Sequence, residues 1–356
     1  GPARTGGIEM PSIIRVRRRV LALLAGTLLV AFSAAPALAC GGLIGPNGAV
    51  NLLRTTTFAG YHAGEEHYVT AFQFAGGGGA FGSITPLPGI PTSVVKGGDW
   101  TLQRLVRETN PVPEAAVFAS DSVRAGAVEL MKVKIDALDI TVLKGGAADI
   151  GTWASAHGFR LPPDAPEVLD FYAARSPIFM AAVFDADAAK ARGQRIGDGT
   201  PVHLVIPTPS PWVPLRILGL GKTAQDRVDA DVYLLTDIKP QLLPAPLGVN
   251  GIRIDHSATA TDSLLNDLRS DKGMSWVPSS GWLTKIVVDA SAGQLRYDLA
   301  VSTTAAVPSP VSAGLEAPTA PLRSQTTELT GFVMAGIVLI GLGGLLILRT
   351  PAPARV

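Results

Sequence analysis

The six residues from 62 to 67, with the sequence HAGEEH, are the part of the chain that most resembles a metal site. Zinc takes histidine nitrogens and carboxylate oxygens as ligands, so His62, Glu65 and His67 are the candidate ligands. In helical zinc motifs the two histidines lie four residues apart on one face, whereas here they lie five apart with a glycine between them. The pattern fits a polar loop leading into a strand better, and we therefore predict no metal and no other cofactor.

Three tryptophans are candidate ligand-binding residues. Trp212 lies within a proline-rich run at 207–214, and Trp276 and Trp282 flank a turn. A tryptophan held in a stiff loop can form a platform for a sugar or a peptide. The same side chain can instead fill the core between two sheets, which is the interpretation that the sequence favours.

Patterns for other chemistry are weak. The acidic residues Asp226, Asp229, Asp231 and Asp237 lack the turn glycine of a calcium loop, so they are better interpreted as solvated charges. No G-x-S-x-G motif occurs, and the glycine runs lack the lysine and helix of a phosphate-binding loop. The catalytic residues are therefore unknown, and a hydrolase would need a site assembled from residues distant in sequence.

Both ends of the chain contain apolar segments that predict export and membrane anchoring. Residues 1–39 are the predicted secretory signal peptide, because four arginines precede an apolar stretch and the small residues of a cleavage site. Met10 is a candidate start, which would leave residues 1–9 as an artefact. Near the other end, residues 331–348 are eighteen consecutive residues without a charge. Extended to 329–348, they suffice for one transmembrane helix, which needs roughly 20 apolar residues.

Charge predicts the orientation of such a chain. Arginines before the first apolar segment and after the second should stay in the cytoplasm. With cleavage of the signal peptide, this makes the protein single-pass, with residues 40–328 outside the cell membrane and 349–356 as a short cytoplasmic tail. Without cleavage, the chain would span the membrane twice with the same exterior domain. The outer part has 23 Lys and Arg against 28 Asp and Glu, a net charge of −5, without a long basic run. We therefore expect contact with the membrane through 329–348 and no nucleic-acid partner.

Cys40 is the only cysteine of the chain, so no internal disulfide can form. The outer part must then be stable through packing alone. A cysteine directly after a signal peptide is also a candidate for lipidation. The order Ala37-Leu38-Ala39 favours ordinary cleavage instead, and an acyl chain would add little beside a transmembrane helix.

Strand-like segments dominate the outer part, and short Pro/Gly turns separate most of them. The predicted strands are 50–58, 67–74, 128–135, 140–144, 178–185, 202–206, 215–218, 231–235, 252–255, 285–289 and 295–301. The predicted helices are 100–108, 162–174 and 261–269, capped by Asp99, Asp164 and Thr261, with a helical turn at 151–157. The predicted fold class is α+β: a strand-rich, mainly antiparallel exterior domain with a few short helices, plus one C-terminal transmembrane helix.

The domain boundaries follow from composition. Residues 40–301 should form the extracytoplasmic α+β domain, either as one unit or as two subdomains with a boundary near 145–158. Residues 302–328 are rich in Pro, Ser and Thr and contain no aromatic residue. Such a segment buries too little apolar surface to offset the entropy lost on ordering, which predicts an extended stalk between domain and membrane.

Several segments between residues 40 and 301 resemble a bacterial family known as domain of unknown function 2330. They are CGGLIGPNG, GEEHYVTAFQF, ITPLPGIP, PIFMAAVFDA, GDGTPVHLVIPTPSPWVPLRILGLGK, DADVYLLTD and GMSWVPSSGWLTKI. The resemblance implies an exported or surface-attached bacterial protein and assigns no activity or catalytic residue. We therefore expect a binding or structural component of the bacterial cell envelope, with a cell-wall component or another membrane protein as its partner. The alternative is the exported hydrolase with a dispersed site.

Overall fold

The computed structural model describes residue 1 and residues 37–38, 42–45, 48–49, 54–73, 80–98, 100–110, 129–193 and 199–318. The predicted membrane segment 329–348, the tail 349–356 and most of the predicted signal peptide lie outside these residues. Within the described part, no helix is long and apolar enough to cross a membrane. The chain divides into two compact units, residues 1–317 and 318–356, and all elements described below belong to the first.

Strands outnumber helices in the described part of the chain. The strands are β1 (Ala37–Leu38), β2 (Gly42–Gly45), β3 (Gly48–Ala49), β4 (Arg54–His62), β5 (Glu65–Gln73), β6 (Ala80–Leu87), β7 (Ser93–Lys96), β8 (Glu129–Ile135), β9 (Leu138–Lys144), β10 (Ile178–Asp185), β11 (Gly199–Pro207), β12 (Trp212–Val213), β13 (Arg227–Thr236), β14 (Gln241–Leu243), β15 (Ile252–Thr259), β16 (Trp282–Ser291) and β17 (Leu299–Ser302). The helices are α1 (Thr101–Thr109), α2 (Ala147–Ala156), α3 (Ala165–Ala173), α4 (Ala186–Ala191) and α5 (Asp262–Ser270), with a 3-10 helix at Arg216–Gly219.

The strands form three sheets. The largest has the order β15-β16-β13-β4-β5-β11-β7, with β1 added beside β4. The second has the order β3-β2-β6-β10-β9-β8, and the third is β12-β17-β14. Almost all neighbours are antiparallel, and the exceptions are the parallel pairs β1–β4 and β4–β13. The strand-rich, mainly antiparallel α+β fold predicted from the sequence is therefore confirmed.

Three apolar clusters show how the layers pack. The first fills the space between the largest sheet and the other two, and it includes Tyr68, Val202 and Met180. The second lies between the other face of the β6–β10–β9 sheet and helices α2 and α3. The third lies between the other face of the largest sheet and helices α1 and α5. Because successive strand residues point to opposite faces, each central strand contributes to two clusters. The first unit is thus built with the largest sheet on one side of the main core, the two smaller sheets on the other side, and helices on both outer faces.

The three helix starts that the sequence assigned to local caps differ from one another in the structure. At α1, Asp271 accepts hydrogen bonds from the backbone N–H groups of Trp100 (3.2 Å) and Thr101 (2.8 Å), and Asp99 lies outside the described residues. The predicted capping role of Asp164 at α3 is wrong, because its carboxylate accepts the backbone N–H of Gly221 instead. Only Thr261 caps its own helix as predicted.

The chain differs from the predicted extended stalk over residues 302–317. This stretch forms turns and packs back onto the domain, with Ala313 fully buried. The backbone N–H of Asp298 donates to the Ala313 carbonyl at 2.9 Å, and the Arg175 guanidinium donates to the Ser312 carbonyl at 2.8 Å. A polar side-chain partner inside the domain therefore supplies order that the composition of this segment did not indicate. Residues 319–328 of the predicted stalk lie outside the described residues.

The carboxylate of Asp298 is the anchor for this region. It is fully buried and accepts hydrogen bonds from the Tyr172 hydroxyl (2.8 Å) and the Leu215 backbone N–H (2.8 Å). It also accepts from the Arg216 backbone N–H (3.1 Å) and the Arg175 guanidinium (2.6 Å). Burial and the Asp298 charge raise the pKa of Tyr172 well above its usual value, so this hydroxyl remains a donor.

We expect Asp298→Ala to lower the free energy of unfolding by about 3–5 kcal/mol, because it leaves a buried guanidinium and three further donors without their acceptor. The matched control is Asp187→Ala, since Asp187 is exposed and pairs with the exposed Lys190 at 3.5 Å. That change should cost less than about 1 kcal/mol. Urea unfolding of the two variants makes the comparison, and equal effects would contradict the anchoring role of Asp298.

Candidate functional site

The candidate metal segment forms a tight hairpin between β4 and β5. Ala63 and Gly64 make the turn with φ values of 51° and 85°, the left-handed geometry that two-residue hairpins require. His62 pairs across the turn with Glu65, and Gly60 pairs with His67. All three predicted ligands therefore lie on one face of the hairpin. They do not converge on a common point, because His62 and His67 have different partners.

His62 lies at the surface, and His67 lies in the interior. His62 Nδ1 is 2.7 Å from Asp237 Oδ1, and both side chains are well exposed. His67 is 5% exposed and its Nδ1 lies 3.1 Å from Nε2 of His203, a residue of β11 that is 2% exposed. In the described residues, no group of three or more His, Cys, Asp or Glu side chains is arranged to hold a metal ion.

Trp276 completes the interior histidine cluster. Its ring stacks on His67 with a centroid distance of 3.8 Å and an interplanar angle of 5°. Gly60, directly opposite His67, makes room for this ring, since a Cβ at position 60 would lie 2.1 Å from the Trp276 side chain. The cluster of His67, His203 and Trp276, which we call the histidine pair and its tryptophan, joins β4, β5 and β11 to the segment after α5.

Both imidazoles of the pair are neutral at physiological pH. Burial lowers the pKa of His67 to about 3, with further lowering from His203 and His62, and burial lowers the pKa of His203 to about 4. Nδ1 of His203 is buried without a hydrogen-bond partner. We infer that the proton of His203 is on Nε2 and is donated to His67, because this tautomer leaves no buried N–H unpaired there.

Glu66 points to the opposite face of β5 and enters the main core between the sheets. It is 0% exposed, and neither carboxyl oxygen has a partner in hydrogen-bond geometry. Burial raises the pKa of Glu66 to about 8, and the nearby backbone N–H of Trp212 lowers it in part. The carboxyl group is therefore largely protonated at neutral pH. Sequence reasoning included Glu66 in the candidate metal segment but did not foresee its burial, and it missed His203, since the burial of both depends on pairing between distant strands.

The three candidate tryptophans are far from equivalent. Trp212 is 5% exposed and stacks on Tyr172 with a centroid distance of 5.9 Å, in the interior position of a core residue. Trp276 is the partly buried partner of His67. Trp282 donates from Nε1 to Ser257 Oγ at 2.9 Å, and the Lys239 ammonium lies 5.6 Å from its ring centroid. The lipidation candidate Cys40 lies outside the described residues.

The acidic residues that were considered for calcium are also separated. Asp226 caps its own turn by accepting the Thr223 backbone N–H, and Asp229 pairs with Arg227. Asp231 lies 4.0 Å from the buried Lys285, and Asp237 is the partner of His62. Each of the four carboxylates therefore has a different partner, and they do not form a shared set of oxygen ligands for calcium.

Fold and site together define an α+β domain of three sheets with helices on both outer faces and a buried, neutral histidine pair. The sequence profile of the family described as "Uncharacterized protein conserved in bacteria (DUF2330)" matches residues 34–257. The chain belongs to this family, as its sequence segments indicated. No curated protein matches the chain.

Solved structures of a baculovirus protein show a weak similarity. The crystal structure of baculovirus P35 has a TM-score of 0.37 and 10% identity, with 70% of this chain and 96% of P35 covered. A mutated baculovirus P35 after caspase cleavage has a TM-score of 0.37 and 8% identity, with 72% and 99% covered. The caspase-8/P35 complex has a TM-score of 0.36 and 8% identity, with 70% and 95% covered. Scores at this level carry no argument about fold or function.

Stability should decrease on acidification because of the histidine pair. The pKa values in the folded chain, about 3 and 4, lie below the unfolded value of 6.5. The unfolded state therefore binds more protons as the pH falls from 6.5 towards 3, and the contribution of the pair is progressively lost. We expect the double variant His67→Gln, His203→Gln to flatten this loss in urea unfolding measured at several pH values. The control His256→Gln, on the edge strand β15, should keep the wild-type slope, and a wild-type slope in the double variant would contradict the assignment.

Glu66 should lower the free energy of unfolding as the pH rises, whereas the histidine pair lowers it as the pH falls. Its pKa near 8 in the folded chain exceeds the unfolded value of 4.5, so its contribution is complete below 4.5 and is lost as the pH rises through 8. We expect Glu66→Gln to remove a loss on the order of a few kcal/mol between about pH 5 and about pH 9. Glu316→Gln, at an exposed position, serves as the control. An unchanged alkaline slope in Glu66→Gln would show that this carboxyl is not the source.

Proposed function

We propose that this protein is a membrane-anchored extracytoplasmic component of the bacterial cell envelope with a binding or structural role. The observation that carries the proposal is the uncharged segment 331–348, followed by Arg349 and Arg355. Eighteen such residues, with the two before them, match the length of a bilayer-spanning helix, and the arginines favour a cytoplasmic C-terminus.

The construction of the described domain supports this role. The only cysteine of the chain is at position 40, so the domain relies on packing and buried polar networks without an internal disulfide. Asp298 and Arg175 secure the last described segment onto the body of the domain. The described domain therefore stays folded up to residue 317, twelve residues before the proposed span begins at 329.

Strand β1 lies within the predicted signal peptide, so cleavage before Cys40 would change the largest sheet. Ala37 and Leu38 pair in parallel with Arg54 and Thr55 at the start of the interior strand β4. Cleavage before Cys40 would remove this short strand and leave β4 paired with β5 and β13. An uncleaved signal segment would keep β1 and give the protein a second membrane attachment at its N-terminus.

A hydrolase remains the second candidate function, favoured only by the pairing of two imidazoles. A general base must come within hydrogen-bond reach of its substrate. His67 and His203 are 5% and 2% exposed, and each already faces the other. This burial favours a structural role for the pair and hence the non-enzymatic proposal.

Charges placed in the apolar segment test the anchor. Ile340→Asp with Leu342→Asp should lower membrane insertion by a hundredfold or more, on the order of 2.5 kcal/mol or more for each charge near the centre of the bilayer. Ile340→Leu with Leu342→Ile is the matched control and should remain inserted. Carbonate-washed membranes from a bacterial host give the bound fraction, and a fluorescent protein fused after residue 356 should be bright only if the C-terminus is cytoplasmic. Equal membrane fractions of the two variants would overturn the proposal.

A further inference from the structure

The loop between β14 and β15, residues 244–251, presents two aliphatic side chains to solvent. Leu247 is 75% exposed and Val249 is 85% exposed, the highest values among the large apolar residues of the described chain. Ile254, on the adjacent edge strand, is 43% exposed. Single exposed apolar residues are common, but such a group on one projecting loop marks a contact surface.

The same loop is internally ordered. Gly248 and Gly251 adopt φ values of 84° and 83°, which favour glycine and turn the chain tightly. Its hydrogen bonds join Leu247 N to Ala245 O (2.9 Å), Gly248 N to Ile252 O (2.8 Å), Gly251 N to Gly248 O (2.9 Å) and Asn250 Nδ2 to Ala245 O (3.0 Å). Because the backbone is already fixed, a contact through Leu247 and Val249 needs little further ordering.

The loop is bonded to the same part of the domain that holds the last described segment. The Tyr297 hydroxyl donates to the Asn250 carbonyl at 2.5 Å, which fixes the loop beside the start of β17. The next residue, Asp298, donates its backbone N–H to Ala313 at 2.9 Å. Loop and exit segment are therefore attached to two adjacent residues.

The tether to the proposed span is short. Ten residues, 319–328, separate residue 318 from the predicted span at 329–348, which gives a reach of at most about 40 Å when fully extended. If the span lies in a bilayer, as proposed above, residue 318 stays within that reach of the lipid surface. The charged neighbours of the loop are paired with one another: Asp255 binds Arg253 at 2.7 Å and the buried Lys285 at 2.8 Å, and Lys285 lies 4.0 Å from Asp231. An apolar contact that is insensitive to salt is thus expected.

We propose that Leu247 and Val249 insert into the surface of the membrane that anchors the chain, so that the domain docks on lipid through the 244–251 loop. This inference rests on the proposed membrane anchor. It identifies lipid acyl chains at the bilayer surface as the chemical class that the loop contacts. Docking fixes the orientation of the domain and directs the opposite end, with the His62–Gly64 turn, away from the membrane.

Site-specific labelling of the full chain in phospholipid vesicles tests this proposal. In a Cys40→Ser background, Val249→Cys carries an environment-sensitive fluorophore, and nitroxide lipids serve as quenchers. Ile238→Cys is the control, because Ile238 is 51% exposed and lies beyond the opposite end of β14. We expect blue-shifted, lipid-quenched emission at position 249, unchanged at raised salt, and water-like emission at position 238.

A second substitution tests whether the apolar surface drives the contact. With the label at position 249, Leu247→Asp should lower the ratio of docked to undocked domain roughly tenfold or more, whereas Leu247→Ile should leave it unchanged. Three outcomes would overturn the proposal. Water-like emission at position 249 in the vesicle-bound chain would show that the loop does not dock on lipid, while leaving the membrane anchor intact. Chain that fails to float with the vesicles would overturn the anchor itself. A shift at position 249 without lipid quenching, together with disulfide cross-links between two chains of the unlabelled Val249→Cys variant, would assign the loop to a second copy and also overturn the proposal.

Discussion

The buried carboxylate of Asp298 is the constraint on which the arrangement of the domain depends. A buried charge is costly unless it is fully hydrogen-bonded, and Asp298 meets this condition only when four donors from separate segments come together. Helix α3 provides Tyr172, the following turn provides Arg175, and the 3-10 region provides two backbone N–H groups. The backbone of the same residue then holds the segment around Ala313. Through its side chain and its backbone, Asp298 thereby joins helix α3, the 3-10 helix and the last described segment of the chain.

Strand β5 shows how one element can place opposite chemistry in two cores. Glu66 enters the core between the sheets, and His67 enters the core beneath helices α1 and α5. Burial moves both pKa values towards the neutral form, upward for the carboxyl group and downward for the imidazole. The domain therefore holds these ionisable groups uncharged near neutral pH. His67 and Glu66 are 5% and 0% exposed, so neither group is open to a substrate from solvent.

Local pattern was enough to predict the strand-rich class and many elements. The strand 178–185 and the helix 261–269 were predicted to within one residue, because each has clear periodicity and defined ends. The predicted strand at 215–218 was wrong, since Asp298 binds the N–H groups of Leu215 and Arg216 and a 3-10 turn forms instead. No local pattern indicates an acceptor about 80 residues away in the chain. The same reason explains why the partner of His67 was missed.

For the candidate site too, local sequence predicted the elements, whereas contacts between distant residues decided where the side chains lie. The sequence predicted a hairpin containing His62, Glu65 and His67, and the structure has this hairpin. Its two-residue turn sets a register in which His67 lies in the interior and contacts His203. Trp212 was considered as either a platform or a core residue, and its stacking on Tyr172 places it in the interior. In both cases the decisive contact joins residues far apart in sequence. Pairing register and layer packing, which a single sequence does not display, determined where these side chains went.

Amide hydrogen exchange of the full chain across residues 296–317 tests most directly whether Asp298 organises the domain up to its exit. The backbone N–H groups of Asp298 and Ala313 are hydrogen-bonded, to Ala313 and to Ser309 respectively. The structure predicts that both amides exchange as slowly as those of the central strands, and that Asp298→Ala abolishes this protection. Exchange at the rate of an unstructured chain through residues 309–315 of the unaltered protein would contradict the account.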